Sequence, residues 1–125
     1  LVSKDISLSS VITFYGVKPR GEVLAAMLRS KVYLALSRWE GLGVANLEAI
    51  ASGCYPVLSN IGPHIEMLNN LDLQVINDDK PEDVATVITE FISENKSFSV
   101  PLAQLISNYS KNSMIENYET VLNEL

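Results

Sequence analysis

Residues 31–59 read KVYLALSRWEGLGVANLEAIASGCYPVLS, and this stretch alternates strand and helix patterns. The apolar run Lys31–Leu36 predicts a strand, and a loop with two glycines follows it. A helical pattern over Val44–Ser52 ends at Gly53, a residue suited to stopping helices. A second apolar run, Pro56–Ser59, predicts another strand. A strand, a helix and a strand at this spacing indicate two parallel strands joined by a right-handed crossover.

The flanking sequence continues this alternation in both directions. Further strands are predicted at Val11–Tyr15 and Leu73–Ile76, and further helices at Glu22–Ser30, His64–Asn69, Pro81–Glu94, Pro101–Tyr109 and Ser113–Leu125. We expect the strand at Val11–Tyr15 to pair directly with Lys31–Leu36. The predicted fold class is therefore α/β, with a parallel sheet of about four strands covered by helices.

Composition excludes several classes of partner. The 125 residues carry a net charge of -6, and an acidic surface repels phosphate backbones and anionic headgroups. We therefore expect no nucleic acid and no direct membrane contact. The longest apolar run, Val32–Leu36, is far shorter than the about 20 residues that span a bilayer. The single cysteine, Cys54, excludes an internal disulfide and favours a cytoplasmic location, because that compartment keeps thiols reduced.

Several other residues are predicted to be structural. Cys54 is expected to be a small buried hydrophobe, and Trp39 is expected to pack against the core. The three methionines lie on apolar helix faces and are predicted to fill the core; they are Met27, Met67 and Met114.

Ligands of parallel sheets bind beyond the carboxyl ends of the strands. Those ends are predicted at Gly16–Arg20, Ser37–Gly43 and Asn60–His64. The glycines of the second loop leave backbone amides uncovered, and the following helix directs its free N–H groups and positive dipole end into the same space. This arrangement suits a phosphate or the hydroxyls of a sugar.

Two glutamates flank this helix start. Glu40 precedes the glycines, and Glu48 lies within the first two helical turns. A carboxylate only accepts hydrogen bonds, so it pairs naturally with two neighbouring hydroxyls of a ribose or hexose. Taken alone, an ordinary loop acid and an ordinary helix acid would give the same pattern. His64 and Glu66, near the next strand end, are further candidates for ligand contact.

The residues around these glutamates resemble the signature of retaining GT-B glycosyltransferases of the family-4 type, roughly P-S-x-x-E-G-F-G-x-x-x-x-E-A-M-A-x-G-x-P-V. Here Leu36 replaces the proline of that pattern and Leu42 replaces the phenylalanine. Weaker likenesses extend the resemblance over about residues 11–124. The matching residues are Ser37, Glu40, Gly41, Gly43, Leu47, Glu48, Ala49, Ala51, Gly53, Pro56 and Val57.

The resemblance implies a partial Rossmann-like domain and a role for each site residue. Glu40 would be the active-site acid that contacts hydroxyls of the donor sugar, and Glu48 would hold the nucleotide ribose. Lys18 or Arg20 would face the base or a phosphate, and the residues leave open which one does so. The donor-binding residues implied are Lys18, Arg20, Gly41, Leu42, Gly43, Val44 and Glu48.

The implied reaction transfers a sugar from a nucleotide-sugar to a hydroxyl, with retention of the anomeric configuration. The nucleotide-diphosphate-sugar is the donor substrate, and no metal or other cofactor is implied. The family's basic pair for the diphosphate and its N-terminal acceptor domain would precede Val11. We therefore expect residues 1–125 to be a single partial, C-terminal donor-binding domain that is inactive alone. The alternatives are a non-catalytic nucleotide or nucleotide-sugar binding module and a purely structural α/β domain.

Overall fold

A computed structural model describes residues 10–73 and 80–123 of the chain. The helices and strands in these ranges follow one another as α1 (Arg20–Met27), β1 (Val32–Ala35), α2 (Val44–Ala51), β2 (Tyr55–Leu58), α3 (Gly62–Asn70), α4 (Pro81–Ser93), α5 (Leu102–Tyr109) and α6 (Lys111–Asn123). None of these helices is long and apolar enough to cross a membrane.

The predicted strand–helix–strand unit is confirmed. Strands β1 and β2 pair in parallel, from Val32 opposite Tyr55 to Ala35 opposite Leu58, and α2 connects them. Gly53 ends α2 with φ +85°, and its N–H donates to the carbonyl of Ile50. Such a left-handed residue after the last turn is where glycine stops a helix at no steric cost. The α/β class with a parallel sheet is therefore correct.

The predicted number of about four strands is wrong for the described residues, where the sheet has two strands. Val11–Tyr15 forms no strand, and it does not pair with β1. A strand needs a hydrogen-bonded neighbour, and β2 is the one neighbour of β1 in the described part of the chain. Phe14 is 80% exposed, so its burial does not order this segment either. The strand predicted at Leu73–Ile76 lies, apart from Leu73, outside the described residues.

The core surrounds β2 on both faces, because neighbouring side chains of a strand point to opposite sides. Val57 packs against Val84 of α4 on one face. Leu58 packs on the other face against buried side chains of α2, α3 and α5, namely Ile50, Met67, Leu68 and Leu105. Each such buried side chain contributes about 1.5–3 kcal/mol to folding. Helices therefore cover both sides of the strand, as predicted.

Of the residues that we predicted to be structural, some are buried and others are exposed. Met27, Met67 and Cys54 are buried, and the Cys54 thiol lies 3.1 Å from the carbonyl oxygen of Met27. Met114 is instead 53% exposed, and its helix, α6, contains no buried residue. Trp39 is 92% exposed, because its loop holds it away from the apolar clusters.

Candidate functional site

The loop between β1 and α2 presents free backbone amides. The N–H groups of residues 41–45 donate to no other described residue, whereas the N–H groups of Asn46 and Leu47 bond the carbonyl of Gly43. Gly43 starts the helix with φ +67°, and a Cβ at this position would overlap Nδ2 of Asn46. Glycine is therefore required here by both backbone conformation and space. The open amides and the positive end of the helix dipole form a site suited to an anion.

Glu40 is held against this loop. Its Oε1 accepts a hydrogen bond of 2.9 Å from the hydroxyl of Ser37, and the side chain is half-buried. Its Oε2 is 3.6 Å from the position that a Cβ of Gly43 would occupy. The carboxylate therefore borders the free amides that follow it.

Glu48 lies in the second turn of α2, in a groove of about 320 Å³ between α2 and α5. Both Nε and Nη2 of Arg20 donate to its Oε1, at 2.9 and 2.5 Å. The groove brings together three of the predicted donor-binding residues, and its lining consists of Arg20, Val44, Leu47, Glu48, Leu105, Ile106, Tyr109 and Ser110.

Lys18, Leu42 and Glu66, which are also predicted site residues, border other cavities. Lys18 pairs with Glu22 at 3.3 Å and borders a cavity of about 450 Å³ with Tyr15. Leu42 and Glu66 border a cavity of about 590 Å³ beside α6. Lys18 is therefore separated from the groove of Glu48, and of the two basic candidates only Arg20 lines that groove.

Tyr33 of β1 is within the electrostatic influence of both glutamates. Burial raises the pKa of its hydroxyl above the usual value, and the negative charges of Glu40, Cys54 and Glu48 raise it further. The two carboxylates are therefore close enough to one strand residue for both to disfavour its ionisation.

Beneath the loop lies a buried polar cluster that the sequence did not reveal. His64, Asn46 and Ser59 are at most 2% exposed. Nδ2 of Asn46 is 2.9 Å from Nε2 of His64, and the Ser59 hydroxyl is 3.0 Å from Nδ1 of His64. His64 is therefore engaged on both ring nitrogens and is not free to contact a ligand from this position.

One signal in the sequence does point to this cluster. Asn46 stands three and four residues before Ala49 and Ile50, which are buried on the same helix face. An amide at such a core-facing position requires a buried hydrogen-bonding partner. The identity of that partner, in α3, depends on how the elements pack.

The described ranges 10–73 and 80–123 contain no candidate metal site. No group of three or more histidine, cysteine, aspartate or glutamate side chains there could hold a metal ion.

The chain is 37% identical over 71 residues to a GDP-mannose:cellobiosyl-diphosphopolyprenol alpha-mannosyltransferase of Xanthomonas oryzae pv. oryzae (strain PXO99A). It is 37% identical over 46 residues to a protein of the same name from Xanthomonas campestris. These segments cover 55% and 37% of this chain but only 19% and 12% of the two relatives.

No solved structure matches the chain significantly. Residues 2–113, nearly the whole chain, match the family described as Glycosyl transferases group 1. The chain belongs to this family of glycosyltransferases.

Proposed function

We propose that this chain is the donor-binding part of a retaining glycosyltransferase, which transfers a sugar from a nucleotide-sugar to a hydroxyl acceptor. The observation that carries the proposal is the row of amides at residues 41–45, which bond no other described residue, with Glu40 just before it and Glu48 three residues after it in the sequence. A nucleotide-sugar has an anionic diphosphate with hydroxyl-bearing groups at both ends. Its chemistry therefore matches this order of groups along the loop.

In the proposed complex each end of the donor has its own acceptor group. The amides of Gly41 to Val44 bind the diphosphate, and the Glu40 carboxylate accepts hydrogen bonds from sugar hydroxyls. Glu48 accepts from the ribose through Oε2, since Arg20 occupies Oε1. Arg20 also offsets the negative charge that Glu48 would otherwise present to an anionic donor.

The same groups would assist bond cleavage. As the bond between the sugar and the diphosphate breaks, negative charge grows on the departing phosphate oxygen. Amides that already point to that oxygen stabilise this charge without reorganising. Neither glutamate needs to form a covalent bond in this scheme. We place the acceptor in a separate domain, since the aligned segment covers only 19% of the longer-matching relative.

The names of the two relatives make GDP-mannose the first donor to test. Titration calorimetry with the full natural protein, without added metal, should detect binding of both GDP and GDP-mannose. UDP and UDP-glucose form the comparison pair. If the protein binds neither pair, the proposal is wrong.

Turnover separates this proposal from a non-catalytic binding module. NMR spectra of the product should show a glycosidic bond with the same anomeric configuration as the donor. An inverted product would rule out the retaining mechanism. Binding without turnover in the presence of hydroxyl acceptors, including lipid-linked glycans, would favour the binding module.

A further inference from the structure

The polar cluster beneath the loop is a continuous chain of hydrogen bonds from four segments. Asn46 comes from the first turn of α2, His64 from the first turn of α3, Ser59 from the end of β2, and Ser37 from the end of β1. The Ser59 hydroxyl is 2.6 Å from the carbonyl oxygen of Ser37. The Ser37 hydroxyl in turn donates to Glu40. The chain therefore runs from the base of the glycine loop to Ser37, whose carbonyl accepts from Ser59 and whose hydroxyl donates to Glu40.

The contacts of the two ring nitrogens specify one tautomer of His64. The amide nitrogen of Asn46 can only donate, so Nε2 of His64 must accept. Nδ1 of His64 lies 3.1 Å from the carbonyl oxygen of Ser59, which can only accept, and 3.0 Å from the Ser59 hydroxyl, whose own proton goes to the carbonyl of Ser37. Nδ1 therefore donates to the oxygens of Ser59. Together these contacts place a proton on Nδ1 and leave Nε2 as the acceptor. All donors along the chain then point in one direction, from Asn46 to Ser37.

Stability alone does not explain this cluster. In other proteins, replacing buried polar groups by an apolar core of the same shape is often neutral or stabilising, because buried polar groups must first lose their hydration. The hydrogen bonds instead orient the side chains, since each bond fixes the orientation of the next group. Its two ends are Asn46, which fills the space beneath Gly43, and Ser37, which holds Glu40.

We propose that His64 is a positioning residue for the donor site. Through Asn46 it holds the glycine loop, and through Ser59 and Ser37 it holds the Glu40 carboxylate. The inference rests on the proposed function. It adds that the position of Glu40, at the sugar end of the site, depends on this chain of hydrogen bonds. The ribose end does not, because Glu48 is held by Arg20 instead.

Substitutions can cut the chain at chosen points. Ser59→Ala removes the hydroxyl that links His64 to Ser37 but keeps the Ser59 carbonyl, which lies 3.1 Å from Nδ1. His64→Gln keeps an acceptor near Nε2 for Asn46, whereas His64→Asn keeps a donor near Nδ1 for Ser59. Ser52→Ala is the matched control, since the half-buried Ser52 hydroxyl also bonds a backbone carbonyl, that of Glu48, but lies outside the chain.

The first measurement needs no ligand. Amide hydrogen exchange in the full natural protein should be faster in His64→Asn than in the wild type at Asn46 and Leu47, whose N–H groups bond the carbonyl of Gly43. It should be unchanged there in His64→Gln, which keeps the acceptor for Asn46, and in Ser52→Ala. Long-range proton–nitrogen NMR should show the proton of His64 on Nδ1. His64 is the one histidine of this chain, so its signals can be assigned from their loss in His64→Gln. A proton on Nε2, or exchange in His64→Asn equal to that in the wild type, would overturn the inference.

The second measurement compares GDP-mannose with GDP by calorimetry, at a temperature where every variant is folded. Ser59→Ala, which cuts the link to Ser37 and Glu40, should weaken GDP-mannose binding on the order of 10-fold or more and change GDP binding much less. Ser52→Ala should bind both as the wild type does. Equal losses of both ligands would indicate a merely structural role and would contradict the inference, as would two unchanged affinities.

Two further comparisons distinguish failure of this inference from misfolding of a variant and from failure of the proposed function. If the buried variants do not fold, Ser37→Ala takes their place, because it removes only the half-buried bond to Glu40, and the same selective loss is expected. If the wild type binds neither GDP-mannose with GDP nor UDP-glucose with UDP, the proposed function fails before any variant is considered. The inference then fails with it.

Discussion

Arg20 and Glu48 are 28 residues apart in sequence, yet Nε and Nη2 of Arg20 both donate to Oε1 of Glu48. The Glu48 side chain is 22% exposed and that of Arg20 is 77% exposed. The half-buried acid is thus partly neutralised from the solvent side. Within the described residues its second oxygen, Oε2, accepts no hydrogen bond, so it remains available to a ligand.

Replacing Arg20 should weaken donor binding in a salt-dependent way. Arg20→Gln leaves the charge of Glu48 uncompensated beside an anionic diphosphate. Because Arg20 is largely exposed, we expect only about a two- to fivefold loss of GDP affinity at low salt. The difference from the wild type should shrink at about 0.5 M salt, where charges are screened within a few ångströms. Arg29→Gln makes the same charge change elsewhere and serves as the control; an equal loss there would contradict the prediction.

The two glutamates should differ in which ligand they affect. Glu48→Ala should weaken GDP binding more than Glu40→Ala does, because we assign Glu48 to the ribose. Glu40→Ala should matter more for GDP-mannose, because we assign it to the sugar. Each lost charged hydrogen bond should cost about 1.5–3 kcal/mol, or about 10- to 150-fold in affinity. Calorimetry with both ligands tests the assignment, with Glu90→Ala on the exposed side of α4 as control. Equal losses of GDP in the two variants would count against it.

Alanine should be tolerated worse at Gly43 than at Gly53. Both glycines have positive φ, so an added Cβ costs about 1–2 kcal/mol at either position. At Gly53 the nearest atom to that Cβ would be the carbonyl oxygen of Phe98, at 3.7 Å, which is ordinary contact. At Gly43 the Cβ would overlap the buried amide of Asn46 as well. Urea unfolding should therefore show a larger loss for Gly43→Ala by about 1 kcal/mol or more.

A double-mutant cycle checks the cause of that difference. If the overlap is responsible, Asn46→Ala should cost less in the Gly43→Ala background than in the wild type. Strictly additive losses would show that the backbone conformation alone penalises the alanine.

The free energy of unfolding should fall at alkaline pH through Tyr33 and Cys54. Burial raises the pKa of both groups in the folded protein, above the usual values of 10.0 and 9.0. The unfolded chain therefore releases these protons at lower pH than the folded one. The stabilisation is complete below about pH 9 and is lost as the pH rises through the folded values.

Urea titrations between about pH 7 and pH 11 measure this effect. Tyr33→Phe removes one of the two groups, so the decline above pH 9 should be shallower than in the wild type. Identical declines in the two proteins would show that Tyr33 does not contribute.

Local patterns were sufficient to predict much of this fold. Strand β1, helix α2 and strand β2 each carry their own signal, and Gly53 supplies the stop signal between the last two. Helix α4 begins at Pro81 and carries Glu82 and Asp83 in its first turn, as the helix dipole favours. These features depend on neighbours in sequence, so they could be predicted without knowledge of the packing.

The failures share a physical origin. Val11–Tyr15 has strand propensity, but a strand also requires a partner edge, and propensity does not supply one. Trp39 is apolar enough for a core, but its loop directs it outward. The outcome in both cases depends on which surfaces are close in space.

The sequence by itself determined the strand–helix–strand unit, the glycine loop at the start of α2, and the positions of Glu40 and Glu48 around it. It did not determine the partners of those groups. That Arg20 rather than Lys18 meets Glu48, and that His64 is buried against Asn46 and not open to a ligand, was decided by the tertiary structure. Contacts between residues 18 to 28 apart depend on how helices are rotated and packed against the sheet, and periodicity within one element carries no information about that.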